Sequence, residues 1–146
     1  MTTTVGEHFA RAVAAKDSGR LRSLLADEVD FEALTPRRHW TASTSQEAVD
    51  DIILKYWFGP DDDIHDVRSV SVGQVADLQR VSYRFGIRRG GQEHVLEQQA
   101  YYSSDGEHIT WMRIVCSGYR PAERVLASPS RRARLDGQCE VTVPVT

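Results

Sequence analysis

The chain has 146 residues, 40% of them hydrophobic, and a formal net charge of -3. That length and apolar content fit one domain with a single core. The charge offers no electrostatic case for a nucleic-acid partner, and no apolar run is long enough to span a bilayer.

The first residues, Met1 to Val13, lack the charged start and apolar run of an export signal, so a cytoplasmic protein is expected. Thr4 followed by Glu7 is a capping box, and Val5, Phe9, Ala12 and Val13 recur at helical spacing behind it. Asp17-Ser18-Gly19 interrupts that helix and caps a second, which carries Leu21, Leu24 and Leu25 and ends near Asp27. Val29, Phe31 and Ala33 then alternate with polar neighbours as a half-buried strand stopped by Thr35-Pro36, and Arg38-His39-Trp40-Thr41 is expected to return beside it.

A third helix is predicted over Thr44 to Phe58, where Thr44 and Glu47 form another capping box and Val49, Ile52, Ile53 and Tyr56 follow the helical period. Gly59-Pro60 ends it, and Asp61-Asp62-Asp63 reads as a solvated acidic loop. Four long strands follow: Ile64 to Val75, one with Val81, Tyr83, Phe85 and Ile87 on a single face, and a pair over VLEQQAYY and EHITWMRIVC. Arg89-Gly90-Gly91-Gln92 and Ser103-Ser104-Asp105-Gly106 supply the turns. Helices gathered early and strands late imply an α+β fold with the helices over one face of an antiparallel sheet.

The string Lys16-Asp17-Ser18-Gly19 leading into Leu24-Leu25-Ala26-Asp27-Glu28-Val29, the helix after Trp40 and the Asp105-Gly106 hairpin together resemble the nuclear-transport-factor-like superfamily, over about Val5 to Tyr119. That group includes ketosteroid isomerase, limonene epoxide hydrolase and SnoaL-like polyketide cyclases. The resemblance implies a strongly curved sheet forming a cone, covered by three N-terminal helices and enclosing a pocket. It does not carry over the isomerase residues. The tyrosine of the first helix, the general-base aspartate of the first strand and the protonated aspartate of the hairpin correspond to Phe9, Ala33 and Gln99, of which the first two can neither donate nor take a proton. For the hydrolases' aspartate, arginine, aspartate relay, Glu97 and Arg84 are the nearest candidates.

Glu97, Gln99 and Tyr101 share one strand face, and on the resemblance that face is the pocket face. A carboxylate enclosed by an apolar cone has a raised pKa suited to proton transfer, which makes Glu97 the candidate acid/base, with Gln99 and Tyr101 orienting an oxygen. Phe9, Trp57, Tyr83, Met112 and Cys116 complete the candidate pocket, and His39 lies near its expected mouth. Neither a metal nor another cofactor is expected, since Cys116, Cys139 and the histidines lack zinc-type spacing.

The last strand has large apolar groups on both faces, which fits one face packing on the pocket and the other joining a second subunit. A homodimer through the outer sheet face, near Tyr102, Trp111 and Arg113, is therefore expected; packing of Trp111 beneath the C-terminal tail is the alternative. That tail, residues 122–146, carries Arg124, Arg131, Arg132 and Arg134 with few large apolar groups and a possible strand at 139–143. Two functions fit: a SnoaL-like enzyme performing cofactor-independent acid/base chemistry on a small hydrophobic metabolite, or a non-catalytic ligand-binding or dimerisation module of the same fold.

Overall fold

A computed structural model describes residues 4–122. All of the expected tail except Ala122 lies outside the described residues, including the 139–143 strand and Cys139.

Local chemistry sets the helix starts. Helix α1, Val5–Ala15, begins where the Thr4 Oγ1 accepts the Glu7 N–H at 3.1 Å, and it ends at Lys16, which takes the left-handed conformation with φ 53°. Helix α2, Ser18–Leu24, is capped by Asp17, whose Oδ1 accepts the Arg20 N–H. It stops three residues before the predicted end, because Leu25 to Asp27 already run extended as the start of strand β1, Leu25–Thr35. Strand β2, Arg38–Thr44, returns antiparallel to it as expected.

The third helix, α3 (Glu47–Trp57), is wound as a π-helix, with the Phe58 N–H bonding back to the Ile53 carbonyl at 2.9 Å. Thr44 Oγ1 accepts the Glu47 N–H, and the Glu47 carboxylate reaches back to accept the Ser43 N–H, one residue before the capping threonine. Those Ser43 hydrogen bonds hold the Glu47 carboxyl below its ordinary pKa. The wider winding also changes the buried face. Tyr56, three positions after Ile53, turns out to solvent, and Trp57, four positions after it, is driven into the core.

Strands β3 (Asp62–Val75), β4 (Leu78–Arg89), β5 (Gln92–Ser104) and β6 (Ile109–Cys116) form antiparallel neighbours in sequence, and the short β7, Arg120–Pro121, pairs with β5. The spatial order is β2-β1-β6-β5-β4-β3 in a curved, unclosed sheet. One junction is parallel, β1 beside β6, and it joins the two ends of the described chain. The acidic run is not a loop: Asp62 and Asp63 open β3, and Asp62 is buried.

The three helices cover the concave face. Phe9, Val13, Val49 and Ile53 from the helices form one apolar cluster with Phe31, Tyr83, Phe85, Leu96 and Met112 from the strands. The opposite, convex face carries the alternate residues of each strand, as the two-residue side-chain period requires. No helix among the described residues is long and apolar enough to cross a membrane.

Candidate functional site

A cavity of about 420 Å³ opens at one end of the cone. Its walls come from the β1–β2 turn, Trp40, the C-terminal end of α3, the end of β4 and the segment after β6. Trp57 forms the back wall, packed edge-on against Trp40 and tilted against Phe31. The Trp40 indole N–H donates to Thr35 Oγ1 at 2.8 Å. The Trp57 indole N–H has no partner among the described residues, although Trp57 is only 6% exposed.

A second orphan lies beneath the floor. Gln98, 1% exposed on the concave face of β5, stands opposite Cys116, which lines the cavity. Its Oε1 accepts a 2.6 Å hydrogen bond from the Tyr83 hydroxyl, and its Nε2, without a regular hydrogen-bond partner, lies toward the Cys116 thiol. Burial raises the Tyr83 hydroxyl pKa far above the usual phenol range, so Tyr83 stays a neutral donor. Burial also pushes the Cys116 thiol up, with the Gln98 side chain and the Gly118 N–H only partly offsetting it. That thiol is a small apolar wall element rather than a ready nucleophile.

One side of the mouth is built on an ion pair whose carboxylate is buried and whose guanidinium is partly exposed. Asp62 accepts from Arg89 Nε at 2.7 Å, from Arg89 Nη2 at 3.2 Å and from the Gly59 N–H at 3.0 Å. Burial drives the Asp62 carboxyl pKa upward, but the Arg89 hydrogen bonds, the Gly59 N–H and the charges of Arg89 and Lys16 outweigh it and hold the pKa below its ordinary value. The Arg89 guanidinium lies 3.7 Å over the Tyr119 ring, and the Tyr119 hydroxyl donates to the Trp57 carbonyl. Lys16 adds a donor to the Gly59 carbonyl at 2.6 Å. The constellation ties α1, the end of α3, β3, β4 and the segment after β6 together at the cavity edge.

Several expected site residues lie elsewhere. Glu97, Gln99 and Tyr101 occupy the convex face, not the pocket face. The Glu97 side chain is 47% exposed and pairs with Arg84 at 2.7 Å, an arrangement worth at most about 1 kcal/mol at a surface. Gln99 accepts from Ser82 Oγ and donates to the Tyr101 hydroxyl on the same outer surface. The reason is strand parity: Leu96, Gln98, Ala100 and Tyr102 form the buried set, and the one ionisable carboxylate in this part of β5 keeps its hydration by facing out. Tyr102 is accordingly a core residue and not part of the outer face, its hydroxyl accepting the Gly6 N–H and donating to Gln79 Oε1. His39 is exposed and bonded to Glu32, away from the cavity walls.

Of the rest, Trp57 and Cys116 line the cavity. Phe9, Tyr83 and Met112 share the concave face but are packed solidly in the core. Trp111 and Arg113 do lie on the convex face, where the Arg113 guanidinium sits 4.4 Å over the Trp111 ring and pairs with Asp30 and Glu32. Gln98, Tyr119 and the rim arginines Arg37, Arg89 and Arg120 were not anticipated. Among the described residues no group of His, Cys, Asp and Glu is arranged to hold a metal ion.

No protein-family model matches the chain, and no curated protein does. Solved structures do match in shape. A protein provisionally named an isomerase from Rhodopseudomonas palustris superposes with a TM-score of 0.65 at 16% identity, covering 87% of this chain and 99% of that one. An NTF2-like protein from Burkholderia thailandensis gives 0.59 at 14% identity over 80% of this chain and 92% of its own. The chain has the nuclear-transport-factor-like fold. A protein with a ketosteroid isomerase-like fold from Catenulispora acidiphila, solved in complex with trimethylamine, gives 0.56 at 14% identity over 81% and 88%. In this nuclear-transport-factor-like cone the cavity occupies the open end, with Trp57 in its wall and Gln98 behind Cys116.

Proposed function

We propose that the chain is a SnoaL-like pocket protein that binds a small organic molecule bearing an oxygen acceptor, holding it by hydrogen bonds and aromatic packing. The observation that carries this reading is an aromatic-walled cavity whose lining includes neither a carboxylate nor an imidazole, with one buried, unpartnered donor, Trp57 Nε1, on a lining residue and a second, Gln98 Nε2, behind the lining residue Cys116. Buried donors left unpaired cost roughly 1–3 kcal/mol each, and a ligand oxygen recovers that cost on binding. A cavity of about 420 Å³ is within the usual range for small-molecule sites. The trimethylamine complex of the Catenulispora protein is an instance, for that protein, of a small organic ligand in the same fold class.

Acid/base turnover through Glu97 has no geometric support, because that carboxylate faces away from the cavity and pairs with Arg84. The non-catalytic binding module is therefore the better reading. Titration of the neutral ester methyl 6-hydroxy-2-naphthoate, followed by quenching of the cavity-wall tryptophans, tests it. Trp57→Phe and Gln98→Leu are each expected to weaken binding about five- to tenfold, the worth of one buried hydrogen bond. Unchanged affinity in both variants would remove the orphan donors from recognition.

The same reading includes a homodimer through the convex face. Leu34 and Val115, 53% and 60% exposed, are cross-strand neighbours there, beside Trp111 and Arg113. A second copy placed on this face covers both. Light scattering is expected to find a dimer for the natural chain and a monomer for Val115→Asp; a monomeric natural chain removes the assembly.

A further inference from the structure

We propose that the ligand class of this cavity is organic carboxylates, received at the rim by Arg37 and Arg120. The inference rests on the small-molecule-binding reading and adds the charge of the ligand to it.

Three arginines line the cavity and no acidic side chain does. Arg89 is neutralised, since both its Nε and Nη2 are committed to Asp62. Arg37 and Arg120 take no ion-pair or hydrogen-bond partner among the described residues. Most other arginines of the sheet are paired: Arg84 with Glu97, Arg88 with Asp63, Arg113 with Asp30 and Glu32. The opening is thus a positive spot left on a chain whose net charge is negative. Low-dielectric aromatic walls concentrate such a field on whatever enters.

The position of Arg37 is informative. Pro36 and Arg37 form the two corner residues between β1 and β2, and Arg37 has φ 72°, the left-handed region where glycine is usual. The turn therefore carries a long cationic side chain where the backbone favours none. Across the opening, Arg120 is held by the pairing of β7 with β5. A guanidinium presents a planar fork that fits a carboxylate, and it stays charged across the whole physiological pH range.

The walls decide between an organic and an inorganic anion. Trp40, Tyr56, Trp57 and Tyr119 surround the cavity, and the unpartnered Trp57 indole N–H lies behind them. A bare oxyanion at the rim reaches none of these. A flat aromatic carboxylate engages the arginines and the aromatic walls together.

Isothermal titration with 6-hydroxy-2-naphthoate and its methyl ester tests this. The natural chain is expected to bind the acid about tenfold or more tighter than the ester, a difference equal to one charge-assisted contact. In Arg37→Gln/Arg120→Gln that preference is expected to fall to near unity. Arg37→Gly provides a second variant that suits φ 72°: it keeps or raises the Tm while losing part of the preference. Equal binding of acid and ester by the natural chain overturns the carboxylate assignment and leaves the binding reading intact. A preference that survives the double substitution overturns the role of the two arginines. Displacement of the acid by inorganic phosphate at matched concentration overturns the organic class, and binding of neither naphthyl compound removes both readings.

Discussion

Asp62→Asn is expected to lower the unfolding free energy by about 3 kcal/mol, the lower end for breaking a buried ion pair, because Arg89 can recover water on its exposed side. The carboxylate accepts from three N–H groups, two on Arg89 and one on Gly59. An amide keeps one acceptor and turns an N–H₂ toward the remaining donors, so the loss exceeds that of a single hydrogen bond. The pH dependence carries the same signature. Because the folded-state pKa lies below the ordinary 3.8, the stabilisation from Asp62 is fully present above that value and is lost as pH falls through the folded-state value. Urea unfolding of the natural chain is expected to show a stability loss on acidification below about pH 4, and that part of the slope should be missing in the variant. A cost under about 1 kcal/mol, or identical acid profiles, would show that the pair does not hold the cavity edge together.

Gly6→Ala should also be strongly destabilising, against the trend of helix propensity. An alanine in a helix is favoured over glycine by about 1 kcal/mol. Here a Cβ on Gly6 would lie 2.6 Å from the Tyr102 hydroxyl oxygen and 2.8 Å from its ring. Tyr102 is 1% exposed and fixed by hydrogen bonds to Gly6 and Gln79, so it cannot step aside. Overpacking together with a distorted buried hydrogen bond costs more than propensity returns, for a net loss of roughly 2 kcal/mol. A double-mutant cycle with Tyr102→Phe isolates the contact: without the hydroxyl, the cost of Gly6→Ala is expected to fall by about 1 kcal/mol or more. Simple additivity of the two substitutions would mean that the hydroxyl is not what resists the new Cβ.

The framework of this fold is written in short-range signals. Thr4 with Glu7 and Thr44 with Glu47 cap helices in the structure as their spacing predicts. The Asp105-Gly106 turn and the alternation of Val81, Tyr83, Phe85 and Ile87 place their strands correctly. The resemblance in element order correctly anticipates the cone. What a helical period cannot reveal is that α3 winds as a π-helix, which exchanges Tyr56 for Trp57 in the core. The parallel pairing of β1 with β6 is equally silent, since nothing local specifies a partner so distant in sequence.

The face of β5 is legible in the hairpin register, which the resemblance to a distant fold does not take into account. Arg89 and Gln92 flank a two-residue Gly90-Gly91 turn, and counting back from that pair sets Arg84 opposite Glu97 and Tyr83 opposite Gln98. Directly opposed residues share a face. With Tyr83 and Phe85 on the apolar side, Gln98 had to point inward and Glu97 outward. Chain registration across one hairpin outweighed a likeness drawn from a distant fold relative. The acidic run misled for a similar reason. Three successive aspartates look solvated, yet Asp62 faces the concave side of β3 and is compensated by Arg89 from the next strand.

The β1–β6 junction also bears on how the chain is born. Asp30 and Arg113, joined across it, are 83 positions apart, so a ribosome has threaded most of the domain before β1 can find its inner neighbour. Until then β1 has only the β2 hairpin on one side and an open edge on the other. Such a late, long-range closure raises contact order and slows the final step of folding. Nascent chains truncated before Ile109 should therefore depend on chaperones, with their exposed β1 edge as the site of capture.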